Sequence, residues 1–409
     1  MKNISGGVTA VQGFKAYGLR AGLKPNKTNR DMAMIYSETP AVCAGVFTTN
    51  KVKAGPVKWD SYIVENFKTV NAVVINTAVA NACTGQQGYD NAKRMSEYTA
   101  EILGLERAEQ VLSASTGVIG KQLPMDIIEK GIRELAPMLS DSEEAGNLAA
   151  EAILTTDTRK KQIAFQFDLN GKTVTIGGMC KGSGMIHPNM GTMLAFVCTD
   201  AAIDKKLLQE ALRENVEDTF NMISVDGDTS TNDSLFVLAN GLAGNAEITE
   251  KNDDYKKFCE ALNEVNTYLA QRIAEDGEGA TKLFEVIVEN APSKKDAKIL
   301  SKAVITSNLT KAAVFGSDAN FGRILCAMGY SGAEFNPDTV TIQIESVNGK
   351  TILAENGMPA DFSEELATKI LSAEKVTARI DAKCGNATAT AWGCDLTHEY
   401  VSINADYRS

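Results

Sequence analysis

The sequence predicts a mixed α/β protein of stacked β-sheets flanked by helices, an α-β-β-α-like arrangement. Three observations lead there. Val70-Asn-Ala-Val-Val-Ile75 is an apolar run of strand length, which reads as a strand buried on both faces. Ile163, Phe165 and Phe167 alternate on one side of Asn170-Gly171, and Val174 and Ile176 on the other. That is a hairpin with a two-residue turn at positive φ. Tyr255, Phe258, Leu262, Val265, Leu269 and Ile273 share one helical stripe, which a core would cover. Strands and helices are interspersed without strict strand–helix–strand alternation, so the sheets are expected to be mixed.

Taken in order, residues 7–48 alternate apolar with small or polar positions, as in Met32–Tyr36 and Ala44–Phe47, and predict short strands with Gly-rich connections. The buried strand 70–75 runs into a small-residue loop, Asn76–Gly85, and Asp90 is placed to cap a helix that reaches about Leu103. Further helices fit 124–138 and 141–153. Val111–Val118 is a strand whose end carries Thr116-Gly117. After the hairpin, helices fit Asp204–Asn215 and Asp254–Ala274, and strands fit 283–289, 340–344, 376–382 and 387–394. Two more helices start near Asn320 and Ser363. No linker or low-complexity segment separates the halves, so they are expected to pack as one body.

With 409 residues, 44% hydrophobic and 23% charged, the chain is long enough for two core-bearing units. A net charge of −11 argues against nucleic acid or an anionic membrane as the main partner. The N-terminus lacks the apolar region of a signal peptide, and no apolar run reaches bilayer length, so a cytoplasmic protein is expected. The eight cysteines are scattered with no Cys-x-x-Cys, as in a reducing compartment. Only two histidines exist, His187 and His398, which by counting nearly excludes a His-centred triad or a three-His zinc site. No metal site and no cofactor are expected. Asp226-x-Asp-x-Ser-x-Asn232 opens like a calcium loop, but Thr231 and Val237 occupy positions that need Gly and Glu, so a hydrogen-bonded turn is expected there. The glycines at 177–178 and 182–184 lack the Gly-Lys-Ser/Thr ending of a phosphate loop. His187 precedes Pro188 and is expected to be neutral and structural.

The chemistry centres on Lys181-Gly-Ser-Gly-Met-Ile-His-Pro-Asn-Met-Gly-Thr-Met-Leu194. Thr192 follows a glycine and heads an apolar run. A threonine hydroxyl needs a base before it can attack. With histidine so scarce, the base at hand is the threonine's own α-amine, released if the 191–192 bond is cut. Its reference pKa of roughly 7.7–8.0 leaves a useful neutral fraction near neutrality. Gly191 removes Cβ bulk beside the scissile carbonyl.

That stretch resembles the signature of the ornithine acetyltransferase (glutamate N-acetyltransferase) family of arginine biosynthesis. The resemblance continues through Thr155-Thr-Asp-Thr158, Asp226-Gly-Asp-Thr-Ser-Thr-Asn-Asp233, Gly277-Glu-Gly-Ala-Thr-Lys282, Asp318-Ala-Asn-Phe-Gly-Arg-Ile-Leu325 and Asn404-Ala-Asp-Tyr-Arg-Ser409. It covers essentially the whole chain.

The resemblance implies an N-terminal-nucleophile style of fold, cut between Gly191 and Thr192 into an alpha chain, 1–191, and a beta chain, 192–409. Two of each would form a heterotetramer. It implies a ping-pong reaction in which Thr192 takes the acetyl group of N2-acetyl-L-ornithine and passes it to L-glutamate. Thr116 and Gly117 match the oxyanion pair, a hydroxyl and a backbone N–H. Thr155, Lys181, Thr192, Glu278, Asn404 and Ser409 match the substrate-binding positions. Lys181 suits an α-carboxylate, and Glu278 suits the ornithine ammonium. Two donors remain open, N2-acetyl-L-ornithine alone or acetyl-CoA as well, the second making the enzyme bifunctional. The alternative activity is an amidohydrolase or aminopeptidase of related architecture, which would pass the acyl group to water.

Two departures from the family pattern stand out. The residue before the nucleophile is usually alanine, and here it is Gly191. The loop after the first buried strand usually reads closer to Asn-Ser-Gly-Asn-Ala-Asn-Ala, and here it is Asn76-Thr-Ala-Val-Ala-Asn-Ala82.

Overall fold

The computed structural model describes residues 1–24, 28–187 and 193–406. The chain divides into two compact units. The first takes Met1–Gly182, Pro188–Asn221 and Thr229–Leu269; the second takes Ser183–His187, Met222–Asp228 and Ala270–Ser409.

The first unit is built on one mixed sheet. Its strands are β1 (Lys2–Ile4), β2 (Phe14–Leu19), β3 (Met32–Phe47), β4 (Thr69–Asn76), β5 (Val111–Ser115), β6 (Lys161–Leu169), β7 (Lys172–Lys181), β8 (Leu194–Thr199) and β9 (Ser234–Ala239). They run in the order β1-β6-β7-β8-β9-β3-β4-β5, with β2 also on β3. Pairs β4–β5 and β8–β9 are parallel and the others antiparallel. The short strands expected over residues 32–47 are one long strand. Its register breaks between Tyr36 and Ala41, and Pro40 sits in that break, where a missing N–H does least harm to the ladder. This break lets β3 pair with β2 at one end and with β9 at the other.

Six helices accompany this sheet: α1 (Gly55–Asn66), α2 (Gly85–Leu103), α3 (Met125–Leu135), α4 (Glu143–Ala152), α5 (Lys205–Val216) and α6 (Asp253–Glu275). Alternation along the strands sends side chains to opposite faces. Met32, Met34, Ala72 and Val74 meet Met95 and Tyr98 of α2 and Ile128, Ile132 and Leu135 of α3. Ala33, Ile35, Val73 and Ile75 instead join Phe196, Phe236, Met179, Trp59 and Ile63 in a second core. Each such large apolar side chain, fully enclosed, contributes about 1.5–3 kcal/mol. The predicted stripe of α6 is buried throughout, and a Cβ at Gly178 would stand 3.0 Å from Leu269, so α6 rests directly on β7. The predicted hairpin is present, with Asn170 at φ 51° and Gly171 at φ 79°. Helix α1 was not legible in the sequence. Helix α2 starts five residues before the cap expected at Asp90, whose carboxylate instead accepts from Gln86 within the helix, at 2.9 Å.

The second unit has its own sheet, in the order β13-β12-β11-β14-β10-β15. Its elements are β10 (Leu283–Ala291), α7 (Lys294–Thr306), α8 (Asn308–Phe315), α9 (Phe321–Gly329), β11 (Thr341–Ser346), β12 (Gly349–Glu355), β13 (Met358–Pro359), α10 (Glu364–Leu371), β14 (Lys375–Asp381), β15 (Ala387–Cys394) and α11 (His398–Ala405). Only β10–β14 is parallel. Helix α7 covers β10 and β15, and α10 covers β11 and β12. The predicted starts of α9 and α10 are capped by Asn320 and Ser363, whose side chains accept from the N–H groups of Arg323 and Leu366. The molecule is thus of the mixed α/β class expected, with helices on both sheets. Among the described residues no helix is long and apolar enough to cross a membrane.

Candidate active site

Thr116 and Gly117 leave the C-terminal end of β5 as a tight turn. Thr116 N–H donates to Asn76 O at 3.1 Å and Val118 N–H to Ala78 O at 3.1 Å. Among the described residues the intervening Gly117 N–H donates to no partner. Gly117 has φ +131°, and a Cβ there would lie 2.3 Å from the carbonyl carbon of Ala78. Only glycine fits both the angle and the close approach.

The floor of this turn is the loop that follows β4. Asn76 accepts from the Ser115 hydroxyl at 2.6 Å and donates to Val79 O at 2.9 Å. Asn232 donates from its amide to Ser115 O at 2.8 Å and also to Ala80 O. Ala78 sits at φ 74°. An L residue with a Cβ is disfavoured in that region.

Lys181, at the end of β7, is buried, with 7% of its surface exposed. Its ammonium donates to Thr116 Oγ1 at 3.3 Å. An ammonium has only donors, so Thr116 must accept, and its own hydroxyl proton stays available for another acceptor. The turn therefore presents two donors side by side, one polarised by a buried cation.

Asp157 organises the same end of the sheet. Its carboxylate meets the Lys161 ammonium at 2.6 Å, both side chains being fully enclosed. It accepts from Gly182 N–H at 2.7 Å and from the Thr155 N–H at 3.1 Å, with the Thr155 hydroxyl at 3.5 Å. Burial pushes the Asp157 carboxyl up, but Lys161, Lys181 and the N–H of Gly182 together outweigh it and hold the group well below the usual carboxylate range. Thr155 is thereby fixed by an anion that sequence reasoning passed over, although Asp157 lies inside the quoted Thr155–Thr158 stretch.

Asp233 lies at the head of β9, where Ser234 N–H donates to Met193 O at 3.0 Å. Burial pushes its carboxyl far above the usual range, with Ser230 and Lys181 acting in the other direction. Among the described residues its Oδ2 has no hydrogen-bond partner.

In the second unit, Glu278 is buried, and its N–H donates to Ser183 O at 3.0 Å. The Asn404 amide donates to Glu278 Oε2 at 2.7 Å, so two of the predicted substrate-binding residues touch. A Cβ at Gly184 would lie 2.4 Å from the Glu278 carboxylate, so the glycine makes room for it. Asp226 accepts from Met185 N–H at 2.6 Å and Ile186 N–H at 2.9 Å, the hydrogen-bonded turn expected in place of a calcium loop. Among the described residues no cluster of His, Cys, Asp and Glu could hold a metal ion. His187 shares a 3.1 Å hydrogen bond with Ser224, and burial, aided by Lys302, pushes it down to about 4, so it is neutral at neutral pH.

Thr116, Gly117, Thr155 and Lys181 thus gather at one end of the first sheet, and Glu278 and Asn404 pair in the second unit. Gly191, Thr192 and Ser409 lie outside the described residues. Strand β7 ends at Lys181 and β8 begins at Leu194, and these two residues are paired antiparallel neighbours.

A family model described as ArgJ family matches residues 15–409. The arginine biosynthesis bifunctional protein ArgJ of Thermotoga neapolitana is 50% identical over 399 residues, 97% of this chain and 99% of the relative. ArgJ 1 of Clostridium acetobutylicum is 51% identical over 402 residues, 98% of this chain and 97% of the relative. A solved chain of the arginine biosynthesis bifunctional protein from Bacillus halodurans is 47% identical with a TM-score of 0.50. The match covers 98% of that chain but 52% of this one.

Proposed function

The chain belongs to the ArgJ family, and we propose that it transfers an acetyl group from N2-acetyl-L-ornithine to L-glutamate, giving L-ornithine and N-acetyl-L-glutamate for arginine biosynthesis. The reaction runs through an acetyl ester on Thr192. The α-amine of Thr192, free after cleavage from Gly191, takes the hydroxyl proton as the oxygen attacks the acetyl carbonyl. Negative charge then develops on the acetyl oxygen, and the Thr116 hydroxyl and the Gly117 N–H receive it. The tetrahedral adduct collapses, and the departing ornithine amine collects the proton held by the Thr192 ammonium. Glutamate's amine attacks the ester in the second half-reaction and reverses the same proton traffic.

The observation that carries this reading is the donor pair beside Lys181. A turn whose Gly117 N–H has no partner among the described residues, a hydroxyl that accepts from an ammonium and keeps its proton for another acceptor, and a buried cation behind it together suit an oxyanion. Thr155 and Lys181 take the substrate α-carboxylate, and Glu278, held by Asn404, takes the ornithine side-chain ammonium. Ser409 completes the set.

Cleavage at 191/192 gives an alpha chain and a beta chain, two of each per molecule, in the cytoplasm. Support for the cut comes from the relative of known structure, whose solved chain is nearly all matched by about half of this one. The test is a coupled assay of purified protein. Consumption of N2-acetyl-L-ornithine that depends on L-glutamate supports the reaction, and release of free acetate without glutamate refutes it.

A further inference from the structure

We propose that Asp233 is a positioning residue for the nucleophile. With its neighbours Asn232 and Ser234 it bridges Met193, the residue after Thr192, and Ser115, the residue before the oxyanion turn. Its role depends on the cut at 191/192 proposed above.

The need for such a bridge follows from where β8 begins. The ladder starts at Leu194, which pairs with Lys181 on one side and Ser234 on the other. Met193 lies one residue ahead of it. Once the 191/192 bond is open, residue 192 is a chain end joined to the rest only through Met193, and chain ends fray unless they are tied down. Attack on an acyl carbon tolerates little fraying, since a misplacement of about 1 Å can cost about 10²-fold in rate.

Met193 is tied down on both sides of its backbone. Ser234 N–H donates to Met193 O at 3.0 Å, and the Met193 N–H donates to the Asp233 carboxyl. The second contact is the nearer to residue 192, because that N–H belongs to the peptide joining 192 to 193. It is also made by a side chain, so a substitution can remove it and leave the ladder intact.

The other end of the bridge holds the oxyanion turn. The Asn232 amide donates to Ser115 O at 2.8 Å, one residue before Thr116, and to Ala80 O as well. The bridge is fixed in turn from the end of β3. Thr48 N–H donates to Asp233 O at 3.1 Å, and the Thr48 hydroxyl donates to Ser230 O at 2.8 Å. Asn232, Asp233 and Ser234 are all buried. Three consecutive residues therefore set the spacing between the start of β8 and the donor pair at the end of β5.

The chemistry of Asp233 suits the task. Burial pushes its carboxyl far above the usual range and so favours the protonated form, against the opposing pull of the Ser230 and Thr48 hydroxyls, the Lys181 ammonium and the Met193 N–H. A carboxylate one peptide away from the new α-amine would favour the ammonium form of that amine and weaken the base. A protonated carboxyl keeps an acceptor oxygen for Met193 without bringing that charge.

The test uses the full chain and the variants Asp233→Asn, Asp233→Ser and Asp233→Ala. A gel counts the cut chain, and kcat and KM for N2-acetyl-L-ornithine are taken per cut chain with L-glutamate as acceptor. Thermal unfolding checks the fold. Asp233→Asn keeps a neutral acceptor at nearly the same place and should keep the parent's kcat. Asp233→Ser draws the oxygen back by one bond and Asp233→Ala removes it, and each should lower kcat about 10²-fold with KM unchanged. A folded but uncut Asp233→Ser or Asp233→Ala supports the same role, since the Thr192 hydroxyl must reach the Gly191 carbonyl to cut. If Asp233→Ala does not fold, Asp233→Ser, which keeps a buried polar group, carries the test. Parent kcat in Asp233→Ser and in folded Asp233→Ala overturns the role of Asp233 and leaves the cut standing. Loss of kcat in a cut and folded Asp233→Asn also overturns it, because charge or an acidic proton would then be what matters. So does a kcat that falls only in step with the unfolding temperature. A parent chain that is never cut overturns the cleavage and the role of Asp233 with it.

Discussion

The Lys181 ammonium lies 3.3 Å from the Thr116 hydroxyl oxygen, and both belong to the same end of the first sheet. This contact settles which way the hydroxyl works, because a group that accepts from an ammonium keeps its own proton to give. The expected consequence is that Thr116→Val, close in shape but without the donor, lowers kcat for acetyl transfer about 10²–10³-fold. Its thermal unfolding should stay within a few degrees of the parent. An active Thr116→Val enzyme would remove the hydroxyl from the mechanism.

Gly117→Ala should be the more damaging change. The added methyl would stand 2.3 Å from the Ala78 carbonyl carbon at φ +131°, so the backbone must move. Loss of roughly 1–3 kcal/mol of unfolding free energy is expected from the strain, with transfer activity lost as the N–H is displaced. Urea denaturation and a single-turnover assay measure the two effects separately.

Ala78→Gly should do the opposite. Ala78 holds φ 74°, and releasing that strain is worth about 1–2 kcal/mol, less roughly 0.5–1 kcal/mol for the greater freedom of glycine in the unfolded chain. A small net gain is expected in equilibrium unfolding, without loss of activity. A destabilised variant would show that the Cβ of Ala78 is needed for packing.

Asp157→Asn leaves the enclosed Lys161 ammonium without its anion, and about 3–5 kcal/mol should be lost at neutral pH. The pH dependence has a definite sign. The folded pKa of Asp157 lies below its unfolded value of roughly 3.9, so the pair stabilises the fold above that value. This stabilisation disappears as the pH falls from there through the folded pKa. Unfolding free energies measured downward from pH 5 should therefore fall less steeply in Asp157→Asn than in the parent.

The catalytic base also has a pH signature. With Thr192 served by its own α-amine, kcat/KM should rise with pH through roughly 7.7–8.0 as that amine loses its proton. His187, which burial pushes down to about 4, contributes no break at the ordinary histidine value. A limb near pH 6.5 that vanishes in His187→Gln would reassign the base.

Much of this architecture was legible from periodicity alone. The apolar run that became β4, the Asn170-Gly171 hairpin and the stripe on α6 each carry their burial in the spacing of the side chains. Features decided by partners distant in sequence were not. Residues 32–47 read as short strands, yet β3 continues through the register break between Tyr36 and Ala41 because β2 and β9 pair with its two ends. Helix α1, unassigned from sequence, opens with Gly55-Pro56 packed against Gly88 of α2. In the site, Thr116-Gly117 is legible locally as a strand end, and its oxyanion role is implied only by the family resemblance. The role of Asp157 is not legible, because it depends on β6 and β7 bringing Lys161 and Gly182 to one carboxylate.

In the proposed reaction Thr192 becomes an N-terminal nucleophile and carries the acetyl group. N-terminal sequencing and intact mass spectrometry of the purified protein, before and after incubation with N2-acetyl-L-ornithine alone, test it most directly. The expected result is a second chain beginning Thr192-Met-Leu that gains one acetyl group with the donor and loses it when L-glutamate is added. An uncut chain with full transferase activity, or full activity in Thr192→Ala, would contradict it.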